Sequence, residues 1–242
     1  MEYLTIHSPI LIVAVPLLAA FITPLTSRVS DKFRDTVNVI LLSFVTFLVA
    51  ILAVDIYANG TRVYTLGASL PELAIPEGYM VPVRIMFEVD GMSIFMGLTA
   101  TVVALAALVY SLQFVKKETG QDRFYSLFFL LYVGMIGLVF TGDMFNLFVF
   151  LEILSIAGAG LAAYRSNMAD AVEGGFKYIV ISAVSALLVL FAIGILYSQY
   201  NLLSIAALAH HMQFTTLDMI CLLYTSDAAD ELDGVDLGGR RI

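Results

Sequence analysis

The chain has 242 residues, of which 60% are hydrophobic and 13% charged, and a net charge of −8. An ordinary soluble domain carries about 45–50% apolar and about 25% charged residues. This composition therefore excludes a soluble globular enzyme, a disordered tail and a nucleic-acid binder. It fits an all-α protein, a polytopic transmembrane helix bundle. The single cysteine, Cys221, rules out a disulfide framework and a cysteine cluster for iron–sulfur or zinc.

A bilayer core about 30 Å thick needs roughly 20 apolar residues in a helix. Six stretches approach or reach that length: Ser8–Thr26, Val37–Tyr57, Met92–Val115, Phe124–Phe140, Met144–Tyr164 and Ala171–Tyr197. A seventh begins near Phe214 and breaks off after Tyr224. The first is no signal peptide, because no Lys or Arg precedes it and no small-residue cleavage site closes it.

Lys and Arg set the orientation. Arg28, Lys32 and Arg34 fall between the first two stretches, Lys116, Lys117 and Arg123 between the third and fourth, and Arg165 between the fifth and sixth. The other side has Arg62 and Arg84 in the long second connection. The N-terminus and that connection are expected outside, and the basic loops in the cytoplasm.

The long connection carries a turn signal at Asn59-Gly60. From Val81 to Val89 apolar residues alternate with Pro82, Arg84, Met86 and Glu88, the period of a half-buried strand. Thr61–Leu66 is a candidate partner, giving a small extracellular hairpin in this loop.

After Tyr224 the pattern changes. Thr225–Ile242 is acidic, contains glycine and has no periodicity; its five acids cannot enter hydrocarbon at several kcal/mol each. The string LYTSDAADELDGVDLGGRRI resembles translated sequencing-adapter sequence. Residues 221–242 are accordingly expected to be a non-native tail, and the native chain to be longer.

Ionisable residues are scarce inside the spans. Glu152 lies near the middle of the fifth and Lys177 in the first third of the sixth. A charge at the helix centre costs roughly 2.5–3.5 kcal/mol on the mildest scale, so it faces protein or a water-filled cavity and marks function by default. The bland alternative for Glu152 is a neutral, hydrogen-bonded packing residue. Lys177 has two: a local ion pair with Glu173 at i−4, or a stem that snorkels to the cytoplasmic surface. The two residues are offset by about 10 Å along antiparallel neighbours at 1.5 Å per residue. A water-bridged coupling is therefore expected over direct contact.

Other features are weaker. Gly158-Ala159-Gly160-Leu161-Ala162-Ala163 matches a dinucleotide fingerprint, but it ends a transmembrane helix, so close helix approach is the better account. His210 and His211 are adjacent and point about 100° apart on a helix, which suits an amphipathic linker better than a metal site. Asp143 after Gly142 reads as a helix N-cap. No metal site and no cofactor are indicated.

Three segments resemble a known family. Asp90-Gly91-Met92-Ser93 is similar to the start of the third helix of antiporter-like membrane subunits. Thr141 to Glu152, TGDMFNLFVFLE, resembles their fifth-helix motif GD-x-FN-x-F-x-x-x-E. Ala171 to Tyr178, AVEGGFKY, resembles their sixth-helix segment ending in KY. Such subunits occur in respiratory complex I, in Mrp-type sodium/proton antiporters (the D-type member) and in membrane-bound hydrogenases. The resemblance spans about residues 5–220.

It implies that residues 1–220 are the N-terminal part of a proton-antiporter-type membrane domain. In such a domain two inverted repeats sit within about fourteen helices. It implies that Glu152 and Lys177 form the charged pair of the first repeat; by their placement Glu173, Ser155 and Asp143 are candidate supporting residues. It also implies a non-redox subunit without cofactor in an NADH-quinone oxidoreductase-like, hydrogenase-like or Mrp-type complex of a prokaryotic plasma membrane. Its partners would be other membrane subunits, the lipid bilayer and a proton or sodium ion. The family's broken seventh helix with its central lysine, its eighth helix and its second repeat have no counterpart here. A stand-alone cation/proton transporter and a non-transporting scaffold subunit are the rival readings.

Overall fold

The computed structural model describes residues 2–66, 85–115, 120–213, 215–219 and 221. Six long helices dominate: α1 Glu2–Ser27, α2 Asp31–Asn59, α3 Gly91–Phe114, α4 Gln121–Phe140, α5 Met144–Ala162 and α6 Ala169–Tyr200. All six are long and apolar enough to cross a membrane. The chain is a multi-pass helical membrane protein. Strands β1 (Arg62–Thr65) and β2 (Met86–Val89) follow α2, and a short helix α7 (Ile205–His211) follows α6.

Helix α1 holds three internal prolines, Pro9, Pro16 and Pro24. Each lacks an N–H, so the carbonyl four residues earlier loses its partner. Inside a membrane such carbonyls are satisfied by hydroxyls or neighbouring helices. Ser8 Oγ donates to Thr5 O at 2.8 Å beneath Pro9. Ser126 Oγ of α4 donates to Ala20 O at 2.8 Å beneath Pro24. The second bond makes a proline in α1 into an anchor for α4.

Helix α4 is the centre of the bundle and packs against α1, α3 and α5. Its Tyr125, Phe129, Tyr132, Val133, Ile136 and Phe140 are fully buried. The Tyr132 hydroxyl pairs with Thr101 Oγ1 of α3 at 2.8 Å, so this phenol meets a partner rather than lipid. Arg34 departs from the sequence reading, which placed it in a loop. It lies in the first turn of α2, 2% exposed, with Asp31 and Asp35 as ion-pair partners. Its Nη2 also donates to Gln121 Oε1 at 2.7 Å, and its guanidinium stacks over the Tyr125 ring. Burial of a charge is tolerated there because all three guanidinium nitrogens donate hydrogen bonds, two carboxylates pair with it and one face lies over a ring.

At the opposite end β1 and β2 pair antiparallel, with Arg62 opposite Val89 and Thr65 opposite Met86. Phe87 and Val89 are buried and Met86 and Glu88 half-buried, the alternation expected from the sequence. The connecting residues 67–84, including the expected strand start at Val81–Arg84, lie outside the described residues. His7 Nδ1 and Tyr64 Oη are 3.0 Å apart, which ties β1 to α1. Asp55 and Arg62 pair at 2.6 Å across the turn at Gly60, whose φ of 82° suits a glycine.

The seventh stretch begins with a reciprocal cap. Thr215 N donates to Asp218 Oδ2 at 2.8 Å, and Asp218 N donates to Thr215 Oγ1 at 3.3 Å. Tyr200 Oη adds a bond to the same carboxylate at 2.6 Å. Residues 216–219 are helical, and the acidic string Thr225–Ile242 lies outside the described residues.

Candidate functional site

The site is organised by α5. Its start is fixed by Asp143, whose Oδ1 accepts from Asn146 N at 2.6 Å, the N-cap bond expected from the sequence. The same carboxylate reaches sideways and accepts from Met86 N of β2 at 3.0 Å. The chain returning from α6 closes the knot. Leu203 O accepts from Met144 N at 2.9 Å, and Gly142 O accepts from Ile205 N at 3.0 Å. Asp143 is 4% exposed. Burial pushes its carboxyl above the ordinary aspartate range, against the pull of the N–H groups of Met86, Asn146 and Phe145. Asn146, equally buried, has its Nδ2 without a hydrogen-bond acceptor among the described residues.

Glu152 follows Met144 by eight residues and precedes Ala162 by ten, so it sits at the middle of the span. It is half-buried and is the sole ionisable residue of α5. Among the described residues none supplies its carboxylate with a hydrogen bond or an ion pair.

Small residues bring the neighbouring helices close. Toward α4, a Cβ on Gly160 would lie 2.9 Å from Leu127, and one on Gly134 would lie 2.8 Å from the Leu154 backbone. Toward α6, a Cβ on Gly175 would lie 2.9 Å from Ala159 O and 2.7 Å from Ala163 Cβ. The glycine- and alanine-rich end of α5 is thus a close-approach surface on both sides, as the sequence suggested. Because α6 ends beside the start of α5, the two helices run antiparallel.

This crossing places Lys177. Tyr178 lies opposite Gly158, which puts Lys177 level with Ala159, seven residues from Glu152, so the levels of Lys177 and Glu152 differ by about 10 Å. Direction separates them further. Gly175 faces α5, and two residues on a helix turn the side chain by about 200°. Lys177 therefore points to the far side of α6, where it is 67% exposed, and pairs with Glu173 Oε1 at 2.5 Å. The structure brings Lys177 to Glu173, not to Glu152. Ser155, one turn from Glu152, is half-buried on the α6-facing side of α5.

The sequence reading did not identify Arg34, Asn146 or Asp218 as buried polar groups. Their signals were present but local: an i,i+3 acid–base pair at a helix start, an amide three residues after a cap, and a Thr-x-x-Asp box.

Fold and site together define a multi-pass helical membrane protein with a carboxylate at mid-span. Comparison with known proteins narrows this. Residues 141–226 match the model described as NADH:quinone oxidoreductase/Mrp antiporter, TM, and residues 77–125 match that of NADH-ubiquinone oxidoreductase (complex I), chain 5 N-terminus. The chain is 33% identical over 208 residues to NADH-quinone oxidoreductase subunit N of Desulforudis audaxviator; the match covers 85% of this chain and 39% of that one. It is 32% identical over 158 residues to the D-type subunit of the Na(+)/H(+) antiporter of Alkalihalophilus pseudofirmus, covering 65% of this chain and 30% of that one. In structure it is similar to a chain of the membrane-bound sulfane sulfur reductase, an archaeal respiratory membrane complex. The TM-score there is 0.78 at 25% identity, over 90% of this chain and 43% of the other. The chain belongs to the antiporter-like membrane subunit family. It spans about two fifths or less of the length of these relatives.

Proposed function

We propose that this chain takes part in proton or cation translocation, as part of a membrane subunit in a redox-driven or multisubunit antiporter complex. The observation that carries the proposal is Glu152, a mid-span carboxylate with no ion-pair partner among the described residues, in a helix otherwise free of ionisable groups. Keeping it there costs roughly 2.5–3.5 kcal/mol, a cost that marks ion paths and proton relays. The relatives named as an NADH-quinone oxidoreductase subunit and a Na(+)/H(+) antiporter subunit support the same reading. Glu152 takes up and releases the proton or cation. The Lys177–Glu173 pair, on the other face of α6, is the second charged element, switched by what packs there rather than by contact with Glu152. Other membrane subunits are the partners that drive the change.

The test is ion flux in vesicles holding the assembled complex. Glu152→Gln keeps the side chain's size and removes its ionisation; flux should fall on the order of tenfold or more, the scale of a lost positioned proton carrier. Glu152→Asp should retain part of it. Wild-type flux in Glu152→Gln at matched protein level leaves only the scaffold reading.

The Lys/Arg distribution supports a plasma-membrane orientation with the N-terminus outside. The bundle supports it too: β2, Gly142 and Ile205 meet at one end, and Arg34 meets Gln121 at the other. In a Cys221→Ser background, cysteines at Thr61 and Asn167 should label from opposite sides, Thr61 from outside. Labelling of both from one side refutes the orientation.

A further inference from the structure

Helix α6 packs against α5 and against no other described helix to a comparable extent. In its first two thirds its buried residues, Gly175, Ser182 and Ala186, are therefore buried by α5. Seven residues are almost two full turns, so Gly175 and Ser182 share a face, about 10 Å apart along the axis. On α5, seven residues separate Ala159, which meets Gly175, from Glu152. Gly175 sits between Ala159 and Ala163, and Tyr178 sits beside Gly158, so on these antiparallel helices Ser182 falls opposite Leu154. Ser182 and Glu152 are thus within about 3 Å of each other along the axis, on facing sides of one seam.

Ser182 is 7% exposed. A helical serine commonly satisfies itself by donating to the carbonyl one turn back. Ser185 does so, to Ile181 O at 3.1 Å. Among the described residues Ser182 makes no such bond, which leaves its hydroxyl free to donate into the seam. Across the seam it is the buried hydroxyl of α6 at this level; Ser155, one turn from Glu152 on the same helix, is half-buried. Residues 179–186 of α6 hold no titratable group, and α4 meets the centre of α5 through Gly134, against Leu154, and Gly137, against Phe150. The nearest titratable groups are Tyr178, beside Gly158, and Lys177, paired with Glu173 on the far face. Tyr132 of α4 is turned to Thr101.

We infer that Ser182 is a positioning residue, the hydrogen-bond donor to the Glu152 carboxyl when that side chain turns into the α5–α6 seam. This rests on the reading of Glu152 as the translocating carboxylate. A hydroxyl suits the task because it donates to the ionised carboxylate and accepts from the protonated acid. It therefore holds the side chain in place without fixing its charge.

The experiment uses infrared difference spectra and ion flux of the assembled complex in vesicles. The Glu152 carbonyl band is assigned by its disappearance in Glu152→Gln. In Ser182→Ala that band should move to higher wavenumber, as for a carbonyl that has lost a donor, and flux should fall roughly threefold to tenfold, the scale of one hydrogen bond. Ser182→Thr should restore both, and Ser182→Cys, a weaker donor of similar size, should lie between. A band that stays in place in both Ser182→Ala and Ser182→Cys overturns the inference, whatever the flux. Should Glu152→Gln leave flux intact, the translocation reading fails, and the band still decides whether Ser182 reaches Glu152.

Discussion

Helix α5 has two sides that are built differently. Toward α4 it is closed by shape: Gly134 seats the Leu154 backbone, Gly160 seats Leu127, and Phe150 and Ala157 are buried. Toward α6 it meets a single helix, whose outer face leaves Phe176, Val180, Val184, Leu187 and Phe191 exposed. In water such a face would be a liability, but in a bilayer apolar exposure carries no comparable penalty. Apolarity therefore does not distinguish the two sides; steric fit does. The ionisable residues follow the open side. Glu152 lies almost two turns from Ala159, which meets α6, and Glu173 and Lys177 sit on α6 away from the α4 contacts.

The largest effect should come from filling the closed side. A Cβ at Gly134 already falls 2.8 Å from Leu154 N and Cα, and backbone cannot step aside as a flexible side chain can. Gly134→Leu should destabilise by about 3 kcal/mol or more, at or above the usual cost of overpacking. Gly174 of α6 has nothing within 4 Å of its added Cβ. Gly174→Ala should be neutral or stabilise by up to about 1 kcal/mol through helix propensity. Thermal unfolding in detergent compares the two. Similar losses in both would mean that the sides of α5 do not differ as described.

Much of this was legible in the sequence, and the failures share a cause. Span limits came from apolar runs and held to within a few residues at most ends; α5, expected over Met144–Tyr164, runs Met144–Ala162. The Asp143 cap was readable because Asp followed by a helical run is a local signal. The alternation at Phe87 and Val89 was local too. What could not be read was facing. The i−4 spacing did offer the Glu173–Lys177 pair that forms, but nothing in spacing alone says that Gly175 turns toward α5 and takes Lys177 away from it. That follows from which small residues meet at the crossing, a fact of two helices together. Arg34 failed for a related reason. Its partner Gln121 and the Tyr125 ring are far along the chain, so sequence showed only a charge near a loop.

The smallest and most specific effect compares two caps on the β2 side of the bundle. Asp90 caps α3 at the surface, with Oδ1 accepting from Ser93 N at 2.7 Å; that bond holds its carboxyl below the ordinary value. Asp143 caps α5 with similar chemistry, yet burial beside β2 and the segment that follows α6 pushes its carboxyl up. The signs follow from proton linkage. Asp90, depressed in the fold, contributes stability above the unfolded aspartate value and loses it as pH falls through its folded value. Asp143, raised in the fold, contributes most below the unfolded value and loses that part as pH rises through its folded value. Acidification from pH 7 toward pH 4 and below should therefore shrink the advantage of wild type over Asp90→Asn. Over the same range the advantage over Asp143→Asn should hold or grow. Each change should be roughly half a kcal/mol or less, since a cap at a helix terminus is worth about 1 kcal/mol and Asp90 is screened by solvent. Melting temperatures of the two variants against wild type across that pH range read it directly. Parallel shifts at the two sites would show that the protein around Asp143 does not shield it, and would remove the physical basis for separating the closed end of α5 from the exposed start of α3.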